Sequence, residues 1–141
     1  MRRDPLSSDL RSLIDAPSPA TLTLYREDGE AITSPMWFRL DGDDFEAVVA
    51  ATDHKLDHLR RDPRCILLIF EAVRPFRGLQ VRASASISPD EEARVRLAIA
   101  SRYLGPDAGR VYADLERRAP GFVIRLPLRE ARAWDLADKL P

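Results

Sequence analysis

The sequence predicts a mainly β fold with helices, a small barrel of six or seven strands. Three observations predict it. The stretch Arg64–Phe70 is almost wholly apolar and rich in β-forming residues. Leu79 to Ile87 alternates apolar with polar residues, as a strand with one buried face does. Strand-like stretches follow one another across tight turn signals, Glu27-Asp28-Gly29 and Asp41-Gly42-Asp43, where glycine supplies a positive φ at no steric cost. Strands in hairpins with a helical excursion before the last ones close most readily as a small barrel.

In chain order, Leu6 to Asp15 reads as a short amphipathic helix, capped by Ser7 or Ser8, with Leu10, Leu13 and Ile14 on one side. Pro17 and Pro19 stop it. Ala20 to Tyr25 is the first strand and Ala31 to Leu40 the second; Pro35, which has no N–H for a ladder, marks an edge or a bulge there. Phe45 to Ala51 is the third. Asp53 is placed to cap a helix from His54 to about Arg61, which Pro63 ends. After the strands at Arg64–Phe70 and Leu79–Ile87, Ser88 or Asp90 caps a longer helix, with Pro89 in its first turn. Ala93, Leu97, Ile99, Ala100 and Leu104 form its apolar side, and Gly105-Pro106 ends it. Asp107 to Arg118 is a second helix, with Val111, Tyr112 and Leu115 inward. Phe122 to Leu126 and Ala131 to Leu136 are the closing strands.

The length of 141 residues fits one domain spanning 1–141. The net charge of −1 gives no electrostatic case for nucleic acid. No stretch reaches the ~20 apolar residues of a membrane span, and the first residues lack the apolar core of a signal peptide. One cysteine, Cys65, leaves no intramolecular disulfide; a cytoplasmic location is the expectation. Arginine dominates the basic residues, and Lys55 and Lys139 are the only lysines.

The chemistry concentrates between Ser34 and Arg64. Thr52 offers a hydroxyl, Lys55 a point charge and the start of the helix free N–H groups, which together suit a phosphate. Arg60 or Arg61 can share the face of Lys55. Residue types alone favour a solvated helix with Arg61 paired to Asp57 and Arg64 to Asp62, since surface ion pairs are common and weak. Cys65 reads as a small buried hydrophobe, and Tyr103 and Tyr112 as helix packing. His54 and His58 have a metal-chelating spacing without a third ligand nearby, and Asp53 with His58 lacks a nucleophile beside it.

The order Pro35-Met36-Trp37-Phe38, then Thr52 and Lys55, then Arg60-Arg61-Asp62-Pro63-Arg64 resembles the flavin-binding split barrels of the pyridoxamine 5'-phosphate oxidase-related superfamily, in particular its deazaflavin (F420)-dependent branch. The likeness covers roughly Thr23 to Trp134. It implies an FMN-binding-type split β-barrel, a homodimer, and a flavin-type oxidoreductase that uses F420 or FMN on a small-molecule substrate. It implies phosphate contacts from Thr52, Lys55 and Arg60, a polar contact from Ser34, and Met36 and Trp37 beside the ring. Gln80 and Arg82 would reach a cofactor held by the other subunit, or only solvate a strand face. Ala83 replaces the glycine usual in that strand. Asp135 stands where a true pyridoxamine 5'-phosphate oxidase carries arginine, which disfavours that activity. The alternative class is a non-catalytic cofactor carrier or a haem- or tetrapyrrole-binding barrel, with His54 or His58 as axial ligand.

Overall fold

A computed structural model describes residues 8–115 and 119–141. The expected helix start at Leu6, the Ser7 cap and the helix end at Arg118 lie outside the described residues. Two antiparallel sheets form a split β-barrel. The first contains β1 (Ala20–Tyr25), β2 (Ala31–Pro35), β5 (Arg64–Phe70), β6 (Gly78–Ser84) and β9 (Ala131–Trp134), in the order β2-β1-β5-β6-β9. The second contains β3 (Arg39–Asp41), β4 (Asp44–Ala50), β7 (Ser86–Pro89) and β8 (Gly121–Pro127), in the order β3-β4-β8-β7. The helices are α1 (Ser8–Asp15), α2 (His54–Arg61), α3 (Arg94–Leu104) and α4 (Pro106–Leu115).

Among the described residues nine strands stand where six or seven are expected, because two long ones each break and change sheet. Ala31 to Leu40 is not continuous: β2 ends at Pro35 on the edge of the first sheet, and the chain re-forms as β3 in the second. Leu79 to Ile87 breaks at Ala85, whose N–H turns out of the ladder to the Pro63 carbonyl at 2.8 Å. Alternation survives both breaks, so a period of two does not reveal them. The edge position explains how Pro35 is tolerated.

The core lies between the sheets. Leu22, Leu24, Leu67, Ile69, Leu79 and Val81 of the first meet Phe45, Val49, Ile124 and Leu126 of the second. Leu10, Leu13 and Ile14 of α1 and Leu56 and Leu59 of α2 belong to the same cluster. Cys65 faces inward and burial pushes its thiol up to about 12. Ala83, opposite Cys65, packs on this core, so the lost glycine faces the interior.

α3 lies on the outer face of the second sheet, where Val95 and Ile99 pack with Val123, Val48 and Tyr103. The Asp90 carboxylate accepts from the N–H groups of Val95 and Arg96 at 2.9 and 3.0 Å, so Asp90 does cap α3, across two left-handed residues, Glu92 and Ala93. Pro89 belongs to β7 instead of the first helical turn. α4 turns its other side inward from the one expected. Gly109 and Ala113 are buried, while Val111 and Leu115 are 61% and 71% exposed. Gly109 crosses so close to the Ser101 backbone that a Cβ would lie 2.6 Å from it, so the small-residue face must be the buried one. Leu104 is likewise exposed.

Next to α3, the same outer face of the second sheet buries a charge. Glu46 is 3% exposed and accepts from Arg39 and Arg125, each at 2.7 Å, its neighbours on β3 and β8. Arg125 also donates to Ser88 on β7, so one carboxylate ties all four strands. Glu46→Ala should lower stability by about 2 kcal/mol, because it strands two arginines that are only partly able to turn to water. Urea unfolding should show a lower midpoint at an unchanged slope; an unchanged midpoint would make the carboxylate dispensable.

Candidate functional site

A pocket of about 690 Å³ opens where the second strand breaks. Pro35, Met36 and Trp37 form one wall, Val48 to Ala50 of β4 the floor, Pro17 and Pro19 a second wall, and Ile99, Tyr103 and Tyr112 of the helices a third. Its two charged lining residues are Asp53 and Arg96. Most of the surface is apolar or aromatic with a few placed polar groups, the usual make-up of a small-molecule site.

The break explains why three consecutive residues face one cavity. In an unbroken strand Met36 would point away from Pro35 and Trp37. Beyond β2 the chain leaves the first sheet: Met36 still donates its N–H to the Ala20 carbonyl at 2.9 Å, Trp37 is exposed, and Phe38 is fully buried in the core against Phe45. Trp37 stacks on Tyr103 with ring centres 5.0 Å apart and meets Tyr112 at 5.2 Å.

Tyr103 organises the walls. Its hydroxyl donates to the Ser18 carbonyl at 3.0 Å and accepts from the Phe38 N–H at 3.4 Å. The adjacent Arg102 donates to the Ile14, Asp15 and Ala16 carbonyls, the C-terminal end of α1, and lies over the Phe38 ring. These bonds fix the Pro17–Pro19 wall. The sequence reading left Tyr103 and Tyr112 to helix packing; its missing signal was non-local, because Tyr103 lies 85 residues from Ser18.

At the pocket rim, α2 begins. Asp53 is its N-cap, and its carboxylate accepts from the Lys55 N–H at 2.9 Å and from Lys55 Nζ at 3.2 Å. Thr52 is exposed in the preceding turn. Met36 and Trp37 therefore line the pocket, with Thr52 and Lys55 at its edge. Ser34 faces the barrel interior opposite Leu22, and its buried hydroxyl makes no hydrogen bond. Arg60 lies apart, its guanidinium 4.8 Å from the centre of the Phe122 ring. Gln80 and Arg82 do not join the pocket; they lie on the outer face of the first sheet beside Leu68 and Ile66.

The remaining charges of the helix are partnered locally. Arg64 pairs with Asp62, as the sequence suggests, and holds that carboxyl down to about 2. Arg61 does not pair with Asp57; it donates to the Tyr25 carbonyl, and Asp57 lies 3.9 Å from His54. Among the described residues no three His, Cys, Asp or Glu side chains gather to hold a metal, and no helix is long and apolar enough to cross a membrane.

A family model described as pyridoxamine 5'-phosphate oxidase matches residues 6–135, and the chain belongs to that family. A search of curated proteins returned no match. A conserved hypothetical protein from Mycobacterium tuberculosis is similar in structure, with a TM-score of 0.80, 25% identity, and coverage of 100% of this chain and 94% of that one. A structure titled F420 reductase aligns at a TM-score of 0.66 and 24% identity, covering 83% and 90%. HutZ, the haem storage protein from Vibrio cholerae, aligns at 0.65 and 14%, covering 90% of each chain. At these lower identities the last two likenesses show the fold.

Burial raises the Tyr103 phenol above its usual value. The folded state thus keeps a proton that the unfolded state releases near pH 10, and Tyr103 contributes stability below that pH which is lost as the pH rises through its folded value. Phenolate absorbance should show one of the three tyrosines ionising after the others. Tyr103→Phe should abolish that last step; its persistence would assign the protected phenol elsewhere.

Proposed function

We propose that this member of the family is a flavin-type oxidoreductase that holds F420 or FMN, with its ring against Met36 and Trp37 and its phosphate at the start of α2. The observation that carries this is the meeting of an aromatic-walled pocket with a helix N-terminus: Asp53, the cap of α2, lines the cavity that Met36 and Trp37 wall. The positive end of the helix favours an anion, and Thr52 and Lys55 add a hydroxyl and a charge there. When bound, the cofactor supplies hydride or electron transfer. The chain's part is to orient the flat ring against the corner strand, to exclude water with apolar walls, and to anchor the phosphate. The substrate is a small molecule that shares the pocket.

The active form in this reading is a homodimer. The outer face of the first sheet presents Ile66, Leu68 and Phe70 in one row, each half-buried, flanked by Gln80 and Arg82. A second copy seated on that face would cover the row and place Gln80 and Arg82 at the seam. Light scattering at micromolar concentration should give twice the chain mass; a monomer would remove this part of the reading.

Titration calorimetry with FMN, riboflavin and F420 tests the site. Lys55→Met should weaken the phosphorylated cofactors about ten- to a hundredfold, the loss of a charge-assisted hydrogen bond of about 1.5–3 kcal/mol. Riboflavin, which has no phosphate, should be indifferent. Equal binding of FMN by wild type and variant would leave the start of α2 a solvated face, and a Soret band on added haem without flavin binding would favour the haem-carrier class.

A further inference from the structure

We propose that Asp53 is a specificity-determining residue of this site, a carboxylate that already occupies the donors an incoming phosphate would use and so selects against highly charged headgroups. The inference rests on the reading of the start of α2 as the phosphate seat. Both donors that Lys55 offers, its backbone N–H and its Nζ, point at the Asp53 carboxylate, at 2.9 and 3.2 Å through separate oxygens. The pair is partly sheltered, with 35% of the Asp53 side chain and 24% of the Lys55 side chain exposed. A ligand at the rim therefore meets a neutral ion pair instead of a free cation. To bind, a phosphate must draw Lys55 away from Asp53 and then lie beside a carboxylate that lines the same pocket.

That cost grows with the charge on the phosphate group that enters the rim. A phosphate monoester such as FMN carries about −1.5 to −2 near neutrality, while a phosphodiester such as that of F420 carries a single charge. The repulsion from Asp53 is about twice as large for the monoester, and at a few ångströms in a partly solvated rim it decides affinity. The built-in carboxylate thus favours the singly charged diester, or a ligand that reaches the rim with an uncharged group. A lysine with no carboxylate at its side would show the opposite order.

Asp53→Asn tests this without sacrificing the helix, because asparagine caps a helix as well as aspartate. Far-ultraviolet circular dichroism and the urea midpoint confirm the folded state, and Asp53→Ser, another good cap, serves as the second variant. Binding of FMN, F420 and riboflavin is measured by calorimetry on wild type, Asp53→Asn and Lys55→Met. FMN should tighten about tenfold in Asp53→Asn, F420 by clearly less, and riboflavin should stay within about twofold. FMN affinity that is unchanged or weaker in both Asp53 variants would overturn the inference and make Asp53 a positioning residue for Lys55. A gain shared equally by riboflavin would overturn it too, since the effect would then be on the pocket wall and not on the phosphate. If Lys55→Met weakens FMN while the Asp53 variants do not tighten it, the inference alone fails; if Lys55→Met also has no effect, the phosphate seat itself is wrong.

Discussion

The hydroxyl of Tyr103 is the contact on which the pocket depends. It joins three segments that share no ladder: α3, the proline-flanked linker at Ser18, and the corner where the chain leaves one sheet for the other at Phe38. A half-buried phenol with both a donor and an acceptor partner is a satisfied group, and its aromatic ring is at the same time the surface on which Trp37 stacks. Hydrogen bonding and stacking through one residue fix the distance between two walls. Arg102, its neighbour in the helix, caps α1 and so fixes the Pro17–Pro19 wall from the other side. The barrel itself is held by apolar burial between sheets, but the cavity at its end is held by these few polar bonds.

Much of the fold was legible in the sequence. Arg64–Phe70 and the helix His54–Arg61 fall where the residues place them, because a run of β-branched and leucine residues and an Asp cap with a following proline are local signals. The two sheet changes were legible only in part. Pro35 signals an edge or a bulge, and β2 does end there on a sheet edge, but nothing local shows that the chain then enters the other sheet; at Ala85 there is no glycine or proline and the alternation continues in phase. The inward face of α4 was misread for a related reason. Val111, Tyr112 and Leu115 make the more apolar stripe, but the close crossing at Gly109 and Ser101 selects the smaller one, and that contact exists only once α3 and α4 are side by side.

The candidate site divides along the same line. Met36, Trp37, Thr52 and Lys55 were found through short-range motifs, and they fall together at one cavity and its rim. Arg60, which spacing could not separate from Arg61 and the family resemblance favoured, instead lies over the Phe122 ring. Tyr103, Tyr112, Pro17 and Pro19 were missed as pocket walls: they come from segments far apart in the chain and are brought together only by folding. Asp53 was legible as a cap but not as the partner of Lys55, since its two roles use two different oxygens of the same carboxylate.

The excursion of α3 and α4 between β7 and β8 has an evolutionary consequence. The residues that shape the cavity from that side, Ile99, Tyr103 and Tyr112, belong to a segment docked on the outside of the second sheet, whereas the barrel core is built from the inward faces of the strands with α1 and α2. Substitutions in the excursion therefore reshape the cavity while leaving most of the inter-sheet core intact. One scaffold separated in this way from its variable wall can drift toward new ligands with little loss of stability, which is the physical condition for a single barrel to diversify across many chemistries.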